Sequence, residues 1–142
     1  MPVRNAHAVW EGNLLKGNGK ISLENGTFER SYTFRSRFEE GEGTNPEELI
    51  GAAHAGCFSM ALAHELDQAG FTPQKIKTTA NVHLTKAAGG FEISKIELVT
   101  EATVPDIEEK LFLEHAENAK KNCPVSKALK SVSIKLKAKL VS

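Results

Sequence analysis

TNPEELIGAAHAGCFSMALAHELDQAG, residues 44–70, reads as one long helix. Asn45 is a good N-cap, Pro46 suits the first helical position, and Glu48 stands where a capping-box glutamate would. Gly70 marks the expected C-terminus. From Leu49 to Ala63 nearly every residue is apolar or small. A surface helix is apolar along one stripe, whereas a helix apolar all round is a buried one. Cys57, one of two cysteines in the chain, lies in the middle of this segment. Its sulfur is either inert packing or the centre of the chemistry.

Outward from the helix, strands are expected on both sides. Ala6–Glu11, Lys20–Leu23 and Ser31–Phe38 read as three short strands, with Gly17-Asn18-Gly19 and Asn25-Gly26 as turns. In the third, Tyr32, Phe34, Ser36 and Phe38 would share one face, and Arg35 and Arg37 the other. Lys75–Leu84 and Phe91–Val104 form a predicted hairpin around Gly89-Gly90. Asp106 is the expected cap of a second helix ending near Lys121. Asn122-Cys123-Pro124 then breaks it and starts a short helix, and residues 132–140 alternate as a last strand. The order implies an α+β fold in one domain, 1–142. Its parts are a three-stranded segment 1–44, the central helix 45–70, and 71–142 with strands, the second helix, the Cys123 helix and the final strand. A helix wanting burial on all sides, with two small sheets to cover it, suggests a homodimer with paired central helices.

Eighteen basic and eighteen acidic residues balance. This removes the electrostatic case for nucleic acid or an anionic membrane surface. Residues 1–10 lack the apolar core of a signal peptide, and the 49–63 run is short for a membrane span. A cytoplasmic location is expected, where two cysteines make a poor permanent disulfide. They are better read as free thiols, metal ligands or a redox pair.

A thiol reacts as its thiolate. Cys123, at the N-cap of a short helix with Pro124 next, has free backbone N–H groups to favour negative charge. Cys57 lies in apolar surroundings, which raise a thiol pKa. Local context therefore favours Cys123 as nucleophile, and Cys57 becomes reactive only beside a buried cation. Arg35 and Arg37 are candidate suppliers, with Glu47 or Glu48 as counter-charge.

The segments Arg37-Phe38-Glu39, Gly43 through Leu62 with its Ala-Ala-His-Ala-Gly-Cys run, and Asn122-Cys123-Pro124-Val125-Ser126 resemble the osmotically inducible protein C (OsmC) branch of the OsmC and organic hydroperoxide resistance family. The likeness covers essentially the whole chain. It implies an intertwined homodimer with two small antiparallel sheets around a buried central helix, and thiol peroxidase activity on organic hydroperoxides. It also implies residue roles. Cys57 matches the peroxidatic thiolate and Cys123 the resolving thiol, the two closing a disulfide through a sulfenic acid. Arg37 matches the arginine that stabilises the thiolate, and Glu47 the glutamate that orients it. The reductant implied is a dithiol of lipoyl type, and no metal or other cofactor is implied.

Ten residues separate Glu47 from Cys57, about 15 Å along a straight helix. The helix therefore bends at Gly51 or Gly56, or one group acts across a dimer, placing the active site at the subunit interface. Two other classes stay open. His54 and Cys57, three apart, could begin a metal- or small-ligand-binding site. The chain could also be a structural stress protein with inert thiols.

Overall fold

The computed structural model describes residues 2–141. These form strands β1 (Ala6–Glu11), β2 (Asn18–Leu23) and β3 (Glu29–Tyr32), helices α1 (Phe34–Phe38) and α2 (Pro46–Gln68), strands β4 (Lys75–Ala87) and β5 (Gly90–Thr103), helices α3 (Glu109–Asn122) and α4 (Pro124–Ala128), and strand β6 (Ser133–Leu140). The chain falls into two compact units, 1–49 and 50–142. The first turn of α2 belongs to the former and the rest to the latter.

In the 1–49 unit, β1-β2-β3 is an antiparallel meander, with Ala6 opposite Leu23 and Gly19 opposite Tyr32. The strand expected over 31–38 ends at Tyr32. Thr33 caps a single helical turn instead: its Oγ1 accepts from the Ser36 N–H at 3.1 Å, while the Thr33 N–H donates to Ser36 Oγ at 2.8 Å. Such a reciprocal box satisfies two amides that a strand end would leave to solvent. Serine at the third helical position, where glutamate or glutamine is usual, made the signal weak. Among the described residues this unit buries no apolar side chain.

In the 50–142 unit, Phe58, Leu62 and Leu66 recur every fourth residue on α2 and are fully buried. They form one core with Ile96, Leu98 and Ala102 of β5 and Phe112, Ala116 and Ala119 of α3. Each large side chain so buried contributes about 1.5–3 kcal/mol of transfer free energy. Gly51 is buried because β4 comes close: an added Cβ would lie 3.3 Å from Val82 Cγ2 and 3.4 Å from the Ala80 carbonyl oxygen. Its lack of a side chain allows this close helix–strand approach. The opposite face of α2 is bare. Ala52, Ala53 and Gly56 are exposed, Met60 is 77% exposed, and a Cβ on Gly56 would meet no atom within 4 Å. The expected burial on all sides is thus absent within one chain. At the C-terminus Gly70, at φ +89°, closes a Schellman motif, with the Phe71 N–H donating to the Leu66 carbonyl and the Gly70 N–H to that of Asp67.

The second sheet is β4-β5-β6. The β4–β5 pair is antiparallel as expected, with a register shift at His83/Leu84. β6 runs parallel to β5, so this sheet is mixed and not antiparallel throughout. Alternation along β6 reveals its faces but not its direction; α3 and α4 supply the crossover that a parallel pairing needs. Asp106 is not the cap of α3. It occupies a left-handed turn at φ 69°, a conformation aspartate tolerates, and the helix opens after Glu108.

Candidate active site

The first functional pair lies in the 1–49 unit. On the helical turn of α1, the Phe34 and Phe38 rings meet at a tilt of 45° with centroids 4.9 Å apart, and the two arginines diverge. Arg35 is exposed, 3.7 Å from Glu39 Oε1, and donates to the Glu40 carbonyl. Arg37 makes a two-pronged pair with Glu47: Nε donates to Oε1 at 3.1 Å and Nη2 to Oε2 at 3.0 Å. This fork-to-fork geometry fixes the guanidinium plane as well as its position. Glu47 is buried, 7% exposed, in the first turn of α2. That turn is set by Asn45, whose Oδ1 accepts from the Glu48 N–H at 2.8 Å while its Nδ2 donates to the Ser36 carbonyl. Glu48 turns instead to Thr44, 3.5 Å from its Oγ1. Arg37 lies 5.1 Å from the Phe38 ring centroid. With Trp10, Leu14, Tyr32 and Phe34 the two line a cleft of about 240 Å³.

The second pair lies in the 50–142 unit. Cys123 ends α3 and precedes α4, with Pro124 at the first position. Its thiol donates to Cys57 Sγ at 2.9 Å. Cys123 is fully buried and Cys57 partly exposed. Burial pushes the Cys57 thiol pKa up, and the hydrogen bond from Cys123 pushes it further; a backbone hydrogen bond from Val125, in the first turn of α4, works the other way. Among the described residues no cation figures among the causes of this shift.

One helical turn from each sulfur stands a second contact. His54, three residues before Cys57, is fully buried, and its Nε2 is 2.7 Å from the Oγ of Ser126, three residues after Cys123. Its Nδ1 has no hydrogen-bond partner among the described residues, and desolvation lowers the imidazole pKa. The sequence offered His54 only as a possible ligand beside Cys57 and gave Ser126 no role; the signal was the equal three-residue offset from each cysteine. Among the described residues no three His, Cys, Asp or Glu side chains cluster to hold a metal, and His54 Nε2 is engaged by Ser126. Phe58 is core, and Ser59 Oγ bonds Thr78 Oγ1 at 2.8 Å, so both are packing residues.

The four expected site residues are thus brought together two by two: Arg37 with Glu47, and Cys57 with Cys123. A partly accessible thiol backed by a buried second thiol at 2.9 Å, on a mixed α+β chain, is an arrangement in which the two sulfurs are close enough for disulfide chemistry. The chain belongs to the OsmC-like protein family, whose pattern it matches over residues 39–137. It is 50% identical over 129 residues to the peroxiredoxin OsmC of Escherichia coli (strain K12), covering 90% of each chain. It is 29% identical to the organic hydroperoxide resistance protein OhrB of Bacillus subtilis (strain 168), covering 85% of this chain and 89% of that one. The crystal structure of B. subtilis OhrB superposes with a TM-score of 0.71 at 25% identity, covering 96% of this chain and 97% of that one.

Proposed function

We propose that this protein is a thiol-dependent peroxidase that reduces organic hydroperoxides to alcohols and protects against oxidative stress. The observation that carries the reading is the 2.9 Å contact between Cys57 and Cys123 in a chain half identical to a named peroxiredoxin. Cys57 thiolate attacks the terminal peroxide oxygen; the O–O bond breaks, the alkoxide leaves and takes a proton as alcohol, and Cys57 is left as sulfenic acid. Cys123 then attacks that sulfur, expelling water and closing a disulfide. An external dithiol, of lipoyl type in this reading, restores both thiols by exchange.

Arg37 is the cation the first step needs. Burial and Cys123 disfavour the Cys57 thiolate, and a guanidinium held rigid by Glu47 would offset both. The aromatic lining around Arg37 suits an alkyl group better than hydrogen peroxide.

The working form is a homodimer with its active site completed at the subunit interface. Two observations support this. The bare face of α2 around Gly56 and Met60 offers small and apolar residues to a second copy, and among the described residues the 1–49 unit buries no apolar side chain. The family match begins in one unit and ends in the other, which supports a single functional domain over 1–142. Among the described residues no helix is long and apolar enough to cross a membrane. In this reading the protein acts in the cytoplasm.

The test is intact mass, without reductant, after one equivalent of tert-butyl hydroperoxide. Wild type should lose two hydrogens, Cys123→Ser should gain one oxygen, and Cys57→Ser should not react. Arg37→Lys, which keeps the charge but loses the fork, should slow the first step about 100-fold. An oxygen adduct on Cys57→Ser would reverse the two cysteine roles, and silence in all variants would remove the peroxidase reading.

A further inference from the structure

Three contacts hold the first turn of α4 against α2: the Cys123 thiol on Cys57 Sγ, the Val125 backbone on the same sulfur, and Ser126 Oγ on His54 Nε2. The first two involve the reacting sulfur and change when it is oxidised. The third does not touch it. It joins two fully or nearly fully buried side chains, His54 at 0% and Ser126 at 6% exposure, at 2.7 Å. A helix of five residues has little stability of its own, so its placement depends on such contacts. We propose that the His54–Ser126 hydrogen bond is a latch that keeps Cys123 within reach of Cys57 through the catalytic cycle, and so sets the speed of disulfide closure against over-oxidation. His54 and Ser126 are positioning residues; neither meets the peroxide. The inference deepens the peroxidase reading and rests on it for the choice between closure and over-oxidation.

The chemistry makes the latch matter at one step. Once Cys57 is a sulfenic acid, two reactions compete. Cys123 can attack the sulfur, forming the S–S bond and releasing water. Alternatively a second hydroperoxide can transfer its terminal oxygen, oxidising sulfur to sulfinic acid and leaving as alcohol. The second is irreversible for the protein alone. With the sulfurs at 2.9 Å, closure to a bond of about 2.05 Å needs only a small shift of side chains, and α4 can stay docked. If α4 loosens, the intramolecular reaction loses its high effective concentration, while a second hydroperoxide still reaches the Cys57 sulfenic acid from solution.

The test uses Ser126→Ala, His54→Asn and His54→Gln in the full chain. Glutamine places an amide nitrogen near the position of Nε2 and can keep the bond to Ser126; asparagine is too short. Under excess tert-butyl hydroperoxide, the sulfinic fraction in Ser126→Ala and His54→Asn should rise about tenfold over wild type, as expected for one lost buried hydrogen bond. His54→Gln should stay near wild type, the sulfinic fraction being compared at equal extents of first oxidation. A second reading needs no peroxide: equilibration with oxidised and reduced dithiothreitol reports how readily the Cys57–Cys123 disulfide closes. Ser126→Ala and His54→Asn should disfavour it about tenfold, and His54→Gln should not. General destabilisation would lower closure in His54→Gln along with His54→Asn, which overturns the latch. Unchanged partition and unchanged closure in Ser126→Ala also overturn it. Normal dithiothreitol behaviour with no peroxide reaction in wild type would sink the peroxidase reading and leave the latch standing on closure alone.

Discussion

His54 is a histidine placed where its charge is penalised. Desolvation on the buried face of α2 lowers its pKa from the ordinary value near 6.5. Below that value the unfolded chain takes up a proton that the folded chain resists, so protonation favours unfolding. The contribution is fully present above about pH 6.5 and is lost as pH falls toward the folded pKa. The urea midpoint should therefore drop between pH 7.5 and pH 5.5 in wild type, and drop less in His54→Gln, where the titrating ring is gone; equal drops in both would assign the acid sensitivity elsewhere. At this scale the sequence was partly readable. Glu47 and Cys57 stood in recognisable motifs; Arg37 was singled out by the family resemblance, while the alternation of residues alone left it level with Arg35. What separates the two arginines is the capping of α1 by Thr33, which turns a strand's shared face into a helix's divergent directions. Arg37 then meets Glu47, and Arg35 stays with exposed Glu39.

At the scale of the element, α2 was legible in its ends and not in its faces. Asn45 and Gly70 cap it as their residue types require, since each side-chain or backbone device acts locally. Which face is buried depends on β4 and β5, which no local rule specifies. The same holds for β6: its alternation was plain, while its parallel pairing is a property of the crossover through α3 and α4. Asp106 misled because aspartate suits both a helix cap and a left-handed turn. Gly51 shows how packing assigns a role that helix propensity cannot. A glycine inside a helix costs about 1 kcal/mol relative to alanine, so it should be dispensable on propensity alone. Here the space beyond its Cα is occupied by Val82 and the Ala80 backbone. Gly51→Val should destabilise the protein by about 1–3 kcal/mol through forced separation of α2 from β4. Thermal unfolding would read this directly, and a stability at or above wild type would mean that the strand gives way freely.

The whole molecule poses a question of supply. Cys57 and Cys123 meet within the 50–142 unit, so disulfide chemistry needs one chain only. Among the described residues no cation figures among the groups that shift the Cys57 pKa, and the forked Arg37–Glu47 pair belongs to 1–49. Meanwhile the outer face of α2 carries exposed Ala52, Ala53 and Gly56 and a Met60 that is 77% exposed, on a helix with almost no charge in its middle. Apolar surface of this kind is normally covered by a partner, and for a chain with balanced charge a second copy is the simplest one. If pairing through this face completes the site, the two chemistries can be separated by one substitution. Met60→Glu buries a charge in the dimer and merely adds one to the surface of the monomer. Sedimentation should then give the monomer mass in place of twice that value, with helix content unchanged. Peroxide reduction should collapse, while dithiothreitol should still close the Cys57–Cys123 disulfide at the wild-type position of equilibrium. Full peroxidase activity in a Met60→Glu monomer, or a wild type that sediments as an active monomer, would place the cation within the chain and remove the need for a partner.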